Sequence, residues 1–251
     1  MATAGRALNA ARPSIPDLTW SANLTTFVND PDYILIREGS IVKFLVLGAT
    51  GRTGVLFVKK ALDEGHQVTA LVRRPGSSVD PRAHIVTGDV TDAAAIAKAA
   101  QGHDAIISTL GVKKAGETPT LITDTVRAVI ASAKTSGVDR FVLLSAFGVG
   151  DSLAKASFLV GPLFRTVLRK TYADKAASEV LLKASDLKWT LGYPGALNNG
   201  DSMRYSNVAL EDVKKTPIFP STSRTNVADF LLRCAVGNTF IRQIAVVFDA
   251  K

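Results

Sequence analysis

The stretch that most constrains the chain is Val42-Lys43-Phe44-Leu45-Val46-Leu47-Gly48-Ala49-Thr50-Gly51-Arg52-Thr53-Gly54. An apolar run with a single lysine reads as a strand buried in a parallel sheet. A glycine-rich turn follows, and Val55-Leu56-Phe57-Val58-Lys59-Lys60-Ala61-Leu62 reads as a helix. The glycines at 48, 51 and 54 are spaced G-x-x-G-x-x-G rather than the commoner G-x-G-x-x-G. Glycine at such positions lets the backbone turn tightly off a strand, approach a pyrophosphate and seat the helix against the sheet. The helix N-terminus then offers unpaired N–H groups and partial positive charge to phosphates. Set between a strand and a helix, this turn predicts dinucleotide binding; the alternative is a purely structural turn.

A chain of 251 residues with an ordinary apolar share fits one sizeable domain. No apolar run approaches the ~20 residues of a membrane-spanning helix. The single cysteine, Cys234, excludes an intramolecular disulfide and suits a reducing compartment such as the cytoplasm. It lies in an amphipathic stretch over 227–236, so it reads as a buried, inert thiol. The formal charge of +8 raises the question of nucleic acid, but the basic residues are scattered and no basic run with interleaved aromatics occurs. The surplus therefore reads as solvated surface plus phosphate-binding arginines.

Residues 1–40 differ from the rest and read as an N-terminal extension. Residues 1–16 carry Arg6, Arg12, many alanines and no acid, a composition compatible with an organellar presequence, an unstructured tail or a mis-set start ahead of Val42. Beyond the glycine turn a helix runs to about Glu64, closed by Gly65. Strands follow at 67–72, 83–87, 104–109, 140–144 and 188–193, with a last one at 241–248. Helices are expected at 93–100, with Thr91 as N-cap, and at 118–136, closed by Gly137. In the helix continuing from Ala173, positions 173, 176, 177, 180, 181 and 184 form a core-facing apolar stripe. Tyr172, Lys175 and Glu179 occupy a neighbouring stripe and share one edge of a cleft. Residues 196–223 are loop-rich with short strands, and Thr225 caps the helix that holds Cys234. This alternation specifies an α/β fold with a doubly wound parallel sheet over 41–251. Its substrate-side regions are about 146–172 and 196–223.

In such sheets ligands bind beyond the carboxyl ends of the strands. Arg73 and Arg74 follow the second strand, where an NAD site carries an acid and a 2′-phosphate needs arginine. NADP(H) is therefore expected over NAD(H), the alternative being two solvated loop arginines. Asp89 faces an adenine or is simply a turn residue. Gly111 allows close passage of a cofactor, and Ser145 and Pro194-Gly195 end their strands on the same side.

These segments, with Leu71-Val72-Arg73, Gly88-Asp89-Val90, Leu110-Gly111, Ser145-Ala146-Phe147 and Tyr193-Pro194-Gly195, resemble the atypical short-chain dehydrogenase/reductases of the Rossmann class. The nearest groups are the flavin reductase (biliverdin-IXβ reductase)-like and NmrA-like proteins. The resemblance implies that Thr50, Arg52 and Thr53 join Gly48, Gly51 and Gly54 around the pyrophosphate, and that Arg73 takes the 2′-phosphate. It also implies that Asp89 and Val90 flank adenine, that Leu110-Gly111 pass the nicotinamide ribose, and that Ser145 borders the nicotinamide and a bound planar substrate. Two departures stand out. Tyr172 and Lys175 are separated by two residues where a dehydrogenase has Tyr-x-x-x-Lys, and histidines of the flavin reductases are replaced near Lys175 and Ala196.

Ser145 is the candidate donor to a substrate carbonyl, or else a strand-end cap. Lys175 binds ribose hydroxyls or a substrate anion, or is a solvated helix lysine. Tyr172 is the third catalytic candidate, as general acid. His66, His84 and His103 lack metal-ligand spacing and take no role. The expected function is NADPH-dependent hydride transfer to a small planar acceptor, such as a flavin, quinone or tetrapyrrole, by a monomer without nucleic-acid or membrane partners. The alternative is a non-catalytic NADP(H)-binding redox sensor or assembly factor of the NmrA-like type. An epimerase or dehydratase acting on a nucleotide sugar is disfavoured by the short region after Pro194.

Overall fold

The computed structural model describes residues 40–111, 119–150, 152, 169–201, 204–214 and 220–250. The extension at 1–39 and most of the expected substrate segment at 153–168 lie outside the described residues. In order, the elements are β1 (Lys43–Leu47), α1 (Arg52–Asp63), β2 (Gln67–Val72), β3 (His84–Thr87), α2 (Ala93–Ala100), β4 (Ala105–Ser108), α3 (Leu121–Ser136) and β5 (Arg140–Leu144). They continue with α4 (Arg169–Lys183), β6 (Lys188–Pro194), β7 (Ala196–Asn198), β8 (Tyr205–Ala209), β9 (Ser221–Ser223), α5 (Arg224–Val236) and β10 (Gln243–Asp249).

Eight strands form one sheet in the order β3-β2-β1-β4-β5-β6-β10-β8. The chain reverses its direction of winding after β3, so β4 falls on the other side of β1 and a crevice opens at the β1/β4 switch. Residues of β1 alternate between two cores. Phe44 and Val46 join Phe57 and Phe230 on the face covered by α1 and α5. Leu45 and Leu47 join Ile106, Ile122 and Val126 on the face covered by α2, α3 and α4. Burial on both faces explains why the strand reads as a continuous apolar run. One departure from the expected all-parallel sheet is β8, which pairs antiparallel with β10. Its alternation of partly buried and exposed residues is that of an edge strand with one solvated face.

Two helix caps differ from expectation. Asp92, not Thr91, caps α2, its Oδ1 accepting from Ala94 N at 2.8 Å. Thr91 instead donates from N and Oγ1 to Asp89 Oδ1, both at 2.8 Å. Ser223, not Thr225, caps α5, accepting from Asn226 N at 3.1 Å. In both cases the capping residue, one or two positions away, already has extended backbone and a side-chain oxygen that reaches the free N–H.

The larger correction is α4, whose orientation is the reverse of the one its apolar stripe predicts. Asp174, Lys175, Ser178 and Glu179 are buried together with Leu182, while Val180 is 69% exposed and Ala173, Ala177 and Ala184 face outward. Four of the six apolar positions are alanines, whose burial contributes little. The polar stripe offers more. Asp174 Oδ2 accepts from Ile122 N at 2.9 Å and Oδ1 from Thr123 N at 3.0 Å. These are orphan donors of α3, whose own Thr120 makes no side-chain cap bond. A carboxylate from α4 thus caps the preceding helix, α3, and these bonds hold α4 with its polar stripe inward.

Candidate cofactor and active site

The glycine turn leaves β1 at Gly48, whose φ of +89° is a left-handed conformation, and Gly51 N donates back to Gly48 O at 2.9 Å. A Cβ on Gly54 would stand 2.1 Å from Gly48 O and 2.8 Å from Thr109 Oγ1. Only glycine fits there, because α1 begins directly against the end of β1. Thr109 Oγ1 in turn donates to Gly48 O at 3.1 Å, tying the turn to the end of β4. The N-cap of α1, Gly51, makes no side-chain cap bond, and the first turn holds no acid. The leading N–H groups of α1 therefore face outward without a side-chain acceptor, an arrangement suited to a diphosphate. Thr50 and Arg52 are exposed at this rim, whereas Thr53 is buried.

Arg73 and Arg74 are exposed just past β2. Asp89 lies within the field of Arg73, but the Asp89 carboxyl is held below its ordinary range chiefly by its bonds from Thr91, with Arg73 a minor contribution. Asp89 is thus engaged as a turn residue on the same rim as Arg73, and Val90 beside it is buried. Leu110 and Gly111 follow β4 next to the glycine turn, where a Cβ on Gly48 would lie 3.0 Å from Leu110 N. A further cation, absent from the sequence-based candidates, is Arg224 at the start of α5. It is 8% exposed and donates from Nη1 to Asn198 O at 3.0 Å and Asn199 Oδ1 at 2.6 Å. Burial and the nearby Arg52 charge both push its pKa down, so two guanidiniums share this rim.

The ends of β5 and β6 gather the remaining candidates. Ser145 follows β5 and donates from Oγ to Glu179 Oε1 at 2.5 Å; Tyr193 donates from its hydroxyl to Glu179 Oε2 at 2.6 Å. Lys175 Nζ donates to Leu144 O at 3.1 Å, and burial lowers its pKa to about 8. Tyr172 donates to Phe147 O at 3.3 Å, and burial pushes its pKa up to about 12. That direction is opposite to the lowering that an adjacent lysine gives an acid tyrosine. Tyr172 and Lys175 donate to different backbone carbonyls, those of Phe147 and Leu144. Tyr193 is fully enclosed; Pro194 is buried; and Gly195 packs so closely that its Cβ would be 2.4 Å from Pro220 O. These last three lie in packed surroundings at the end of β6. Glu179, joining Ser145 to Tyr193, was visible in the sequence as the helical neighbour of Lys175, but its partners come from distant strands.

The histidines serve the framework. His66 Nδ1 accepts from Val42 N at 3.3 Å and its ring meets Phe44 edge-on, and His103 Nε2 lies 2.8 Å from Thr69 Oγ1. Cys234 is buried, and burial raises its thiol pKa to about 12. Among the described residues no group of His, Cys, Asp or Glu is placed to hold a metal, and no helix is long and apolar enough to cross a membrane.

A doubly wound sheet, an uncapped helix behind a glycine turn and polar groups at neighbouring strand ends define a nucleotide-binding scaffold. Over residues 48–236 the chain matches the family described as NAD(P)H-binding, and it belongs to that family. An uncharacterised chloroplastic protein of Arabidopsis thaliana is 31% identical over 198 residues, covering 74% of this chain and 69% of the relative. The photosystem II assembly factor Ycf39 of Cyanophora paradoxa is 29% identical over 155 residues, covering 60% of this chain and 44% of that protein. Among solved structures, the oxidoreductase ylbE of Lactococcus lactis superposes with a TM-score of 0.71 at 21% identity, covering 84% of this chain and 92% of that one. The anaerobillin reductase ChuY of Escherichia coli O157:H7 does so with a TM-score of 0.68 at 23% identity, covering 84% and 98%. These two likenesses describe the fold.

Proposed function

We propose that this protein is an NADPH-dependent reductase that positions a reduced nicotinamide against a small planar electron acceptor, such as a flavin, quinone or tetrapyrrole. The observation that carries the reading is the cradle at Gly48, Gly51 and Gly54, where side chains are excluded and the α1 N-terminus is left without an acceptor. Gly48, Thr50, Gly51, Arg52, Thr53 and Gly54 would hold the pyrophosphate. Arg73, with Arg74, would take the 2′-phosphate, which is the ground for preferring NADP(H). Asp89 and Val90 would border the adenine, and Leu110-Gly111 the nicotinamide ribose. The nicotinamide supplies hydride; the chain's part is to orient the rings and offer a proton. Ser145 is the group nearest that task, with Lys175 fixing the end of β5 beneath it. Tyr172, with its raised pKa, contributes shape rather than acid catalysis. A monomeric working unit is part of this proposal. Residues 1–16 and the chloroplastic relative favour an organelle over the cytoplasm.

Steady oxidation of NADPH in the presence of FMN, riboflavin or a small quinone is the expected result. Tight NADPH binding without turnover on that panel would reject the reductase reading. It would favour the second one, a redox-sensing or assembly factor. That alternative draws on the likeness to Ycf39 and on the commitment of the Tyr172 and Ser145 hydroxyls to protein partners. A partner protein retained only in one redox state of the nucleotide would support it.

A further inference from the structure

The link between Ser145, Glu179 and Tyr193 has a direction. Tyr193, fully enclosed, donates its hydroxyl proton to Oε2 of Glu179. A proton carried by the carboxyl is therefore placed on Oε1, the oxygen facing Ser145 at 2.5 Å. With Glu179 ionised, the single proton of Ser145 points inward to Oε1, and Ser145 has only lone pairs to present to the site. With Glu179 protonated, its O–H donates to Ser145 Oγ and turns the serine proton outward. Glu179 is 2% exposed and Ser145, just past the carboxyl end of β5, is 5% exposed.

We propose that Glu179 is a positioning residue that stores a proton for Ser145, and that Ser145 passes its own hydroxyl proton to the acceptor as hydride arrives. The inference rests on the reductase reading. Two electrons and one hydrogen reach the acceptor as hydride from the dihydronicotinamide. The Ser145 O–H bond breaks as the acceptor gains its proton, and the Glu179 O–H bond breaks as the Ser145 O–H re-forms. The products are oxidised nicotinamide, protonated reduced acceptor and a Glu179 carboxylate, which regains a proton from solvent before the next cycle. The surroundings fit this use. Burial raises the Glu179 pKa against the lowering by Ser145, Tyr193, Lys183 and Lys175, which are the groups facing it from α4, β5 and β6. Gly150 also closes on the carboxyl, since a Cβ there would lie 3.2 Å from Oε2.

The test is a pH titration of the full chain without nucleotide, carrying isotope-labelled glutamate carboxyls, read by NMR. The Glu179 signal is the one missing in Glu179→Gln. Its midpoint is expected above the ordinary glutamate range, and higher still in Ser145→Ala, which removes a donor that favours the carboxylate. With NADPH and an acceptor, Glu179→Gln keeps a donor toward Ser145 but has no proton to give. Its kcat is expected to fall on the order of a hundredfold, with KM for NADPH unchanged and the alkaline limb of the pH profile lost. An ordinary Glu179 midpoint, or an unaltered pH profile in Glu179→Gln, overturns the relay. If Glu179→Gln fails to fold, its signal is assigned instead by the shift it shows in Ser145→Ala, and an unshifted midpoint overturns the proposal. A wild-type protein that turns over no acceptor overturns the reductase reading and the proton transfer together; an ordinary midpoint in an active enzyme overturns the relay alone.

Discussion

At the scale of single residues, the strongest discrimination rests on Arg73. Its guanidinium is exposed past β2, in the field of Asp89, at the point where the adenosine end of a dinucleotide lies in this fold. Charge-assisted hydrogen bonds contribute about 1.5–3 kcal/mol. Arg73→Ala is therefore expected to weaken NADPH binding by roughly 10- to 100-fold while leaving NADH nearly unchanged, as titration calorimetry would show. An equal loss for both nucleotides would make Arg73 structural. Lys175 gives a second test through pH. Its ammonium is buried and its pKa is lowered to about 8, below the unfolded value of 10.5. Between these values the unfolded chain binds more protons than the folded one, so this residue makes stability rise with pH across that window. Denaturant unfolding at pH 7, 8, 9 and 10 is expected to show the rise in the wild type and a smaller one in Lys175→Met. A parallel course for the two proteins would show that Lys175 ionises normally in the fold.

At the scale of elements, α4 carries the most instructive energetics. Asp174 reaches across to cap α3, accepting from Ile122 N, Thr123 N and, at 2.6 Å, Thr123 Oγ1. Asp174→Ala would leave two buried N–H groups without that acceptor, at a cost of about 1–3 kcal/mol. For a chain of this size each kcal/mol moves Tm by roughly 2–4 °C, so a drop of several degrees is expected in a thermal melt. An unchanged Tm would mean that solvent or a neighbouring group takes over the cap. The same helix shows where sequence reading stops. Strands β1, β2 and β5 are legible because residues buried on both faces leave an unbroken apolar run, and the glycine turn is legible because steric exclusion at Gly54 admits one residue type. The rotation of α4 is not legible, since it depends on where a carboxylate finds orphan N–H groups 51 residues away in sequence. Likewise Ser145, Lys175 and Tyr193 were visible as candidates, but Glu179 becomes their junction only when β5, β6 and α4 meet. Arg224 was hidden for the same reason: nothing local in Ser223-Arg224-Thr225 reports that Arg52 stands opposite.

At the scale of the whole molecule, the site is spread over loops from six strands, while the cores on the two faces of the sheet share β1, β2, β4, β5 and β10. Phe44 and Val46 belong to one core and Leu45 and Leu47 to the other, so neither layer can melt without disturbing β1. A nucleotide bound at the strand ends therefore stabilises the described domain as one unit. Free ligand at a hundred times Kd adds about 2.7 kcal/mol, which corresponds to a rise in Tm of roughly 5–11 °C. If the missing 2′-phosphate makes NADH bind about tenfold more weakly, the same concentration adds only about 1.4 kcal/mol. The expected melt is a single transition, shifted about twice as far by NADPH as by NADH, with the difference abolished in Arg73→Ala. Equal shifts by the two nucleotides in the wild type would remove the 2′-phosphate from the site. A transition that splits on adding NADPH would show that the two cores unfold separately and that the strand-end crevice does not couple them.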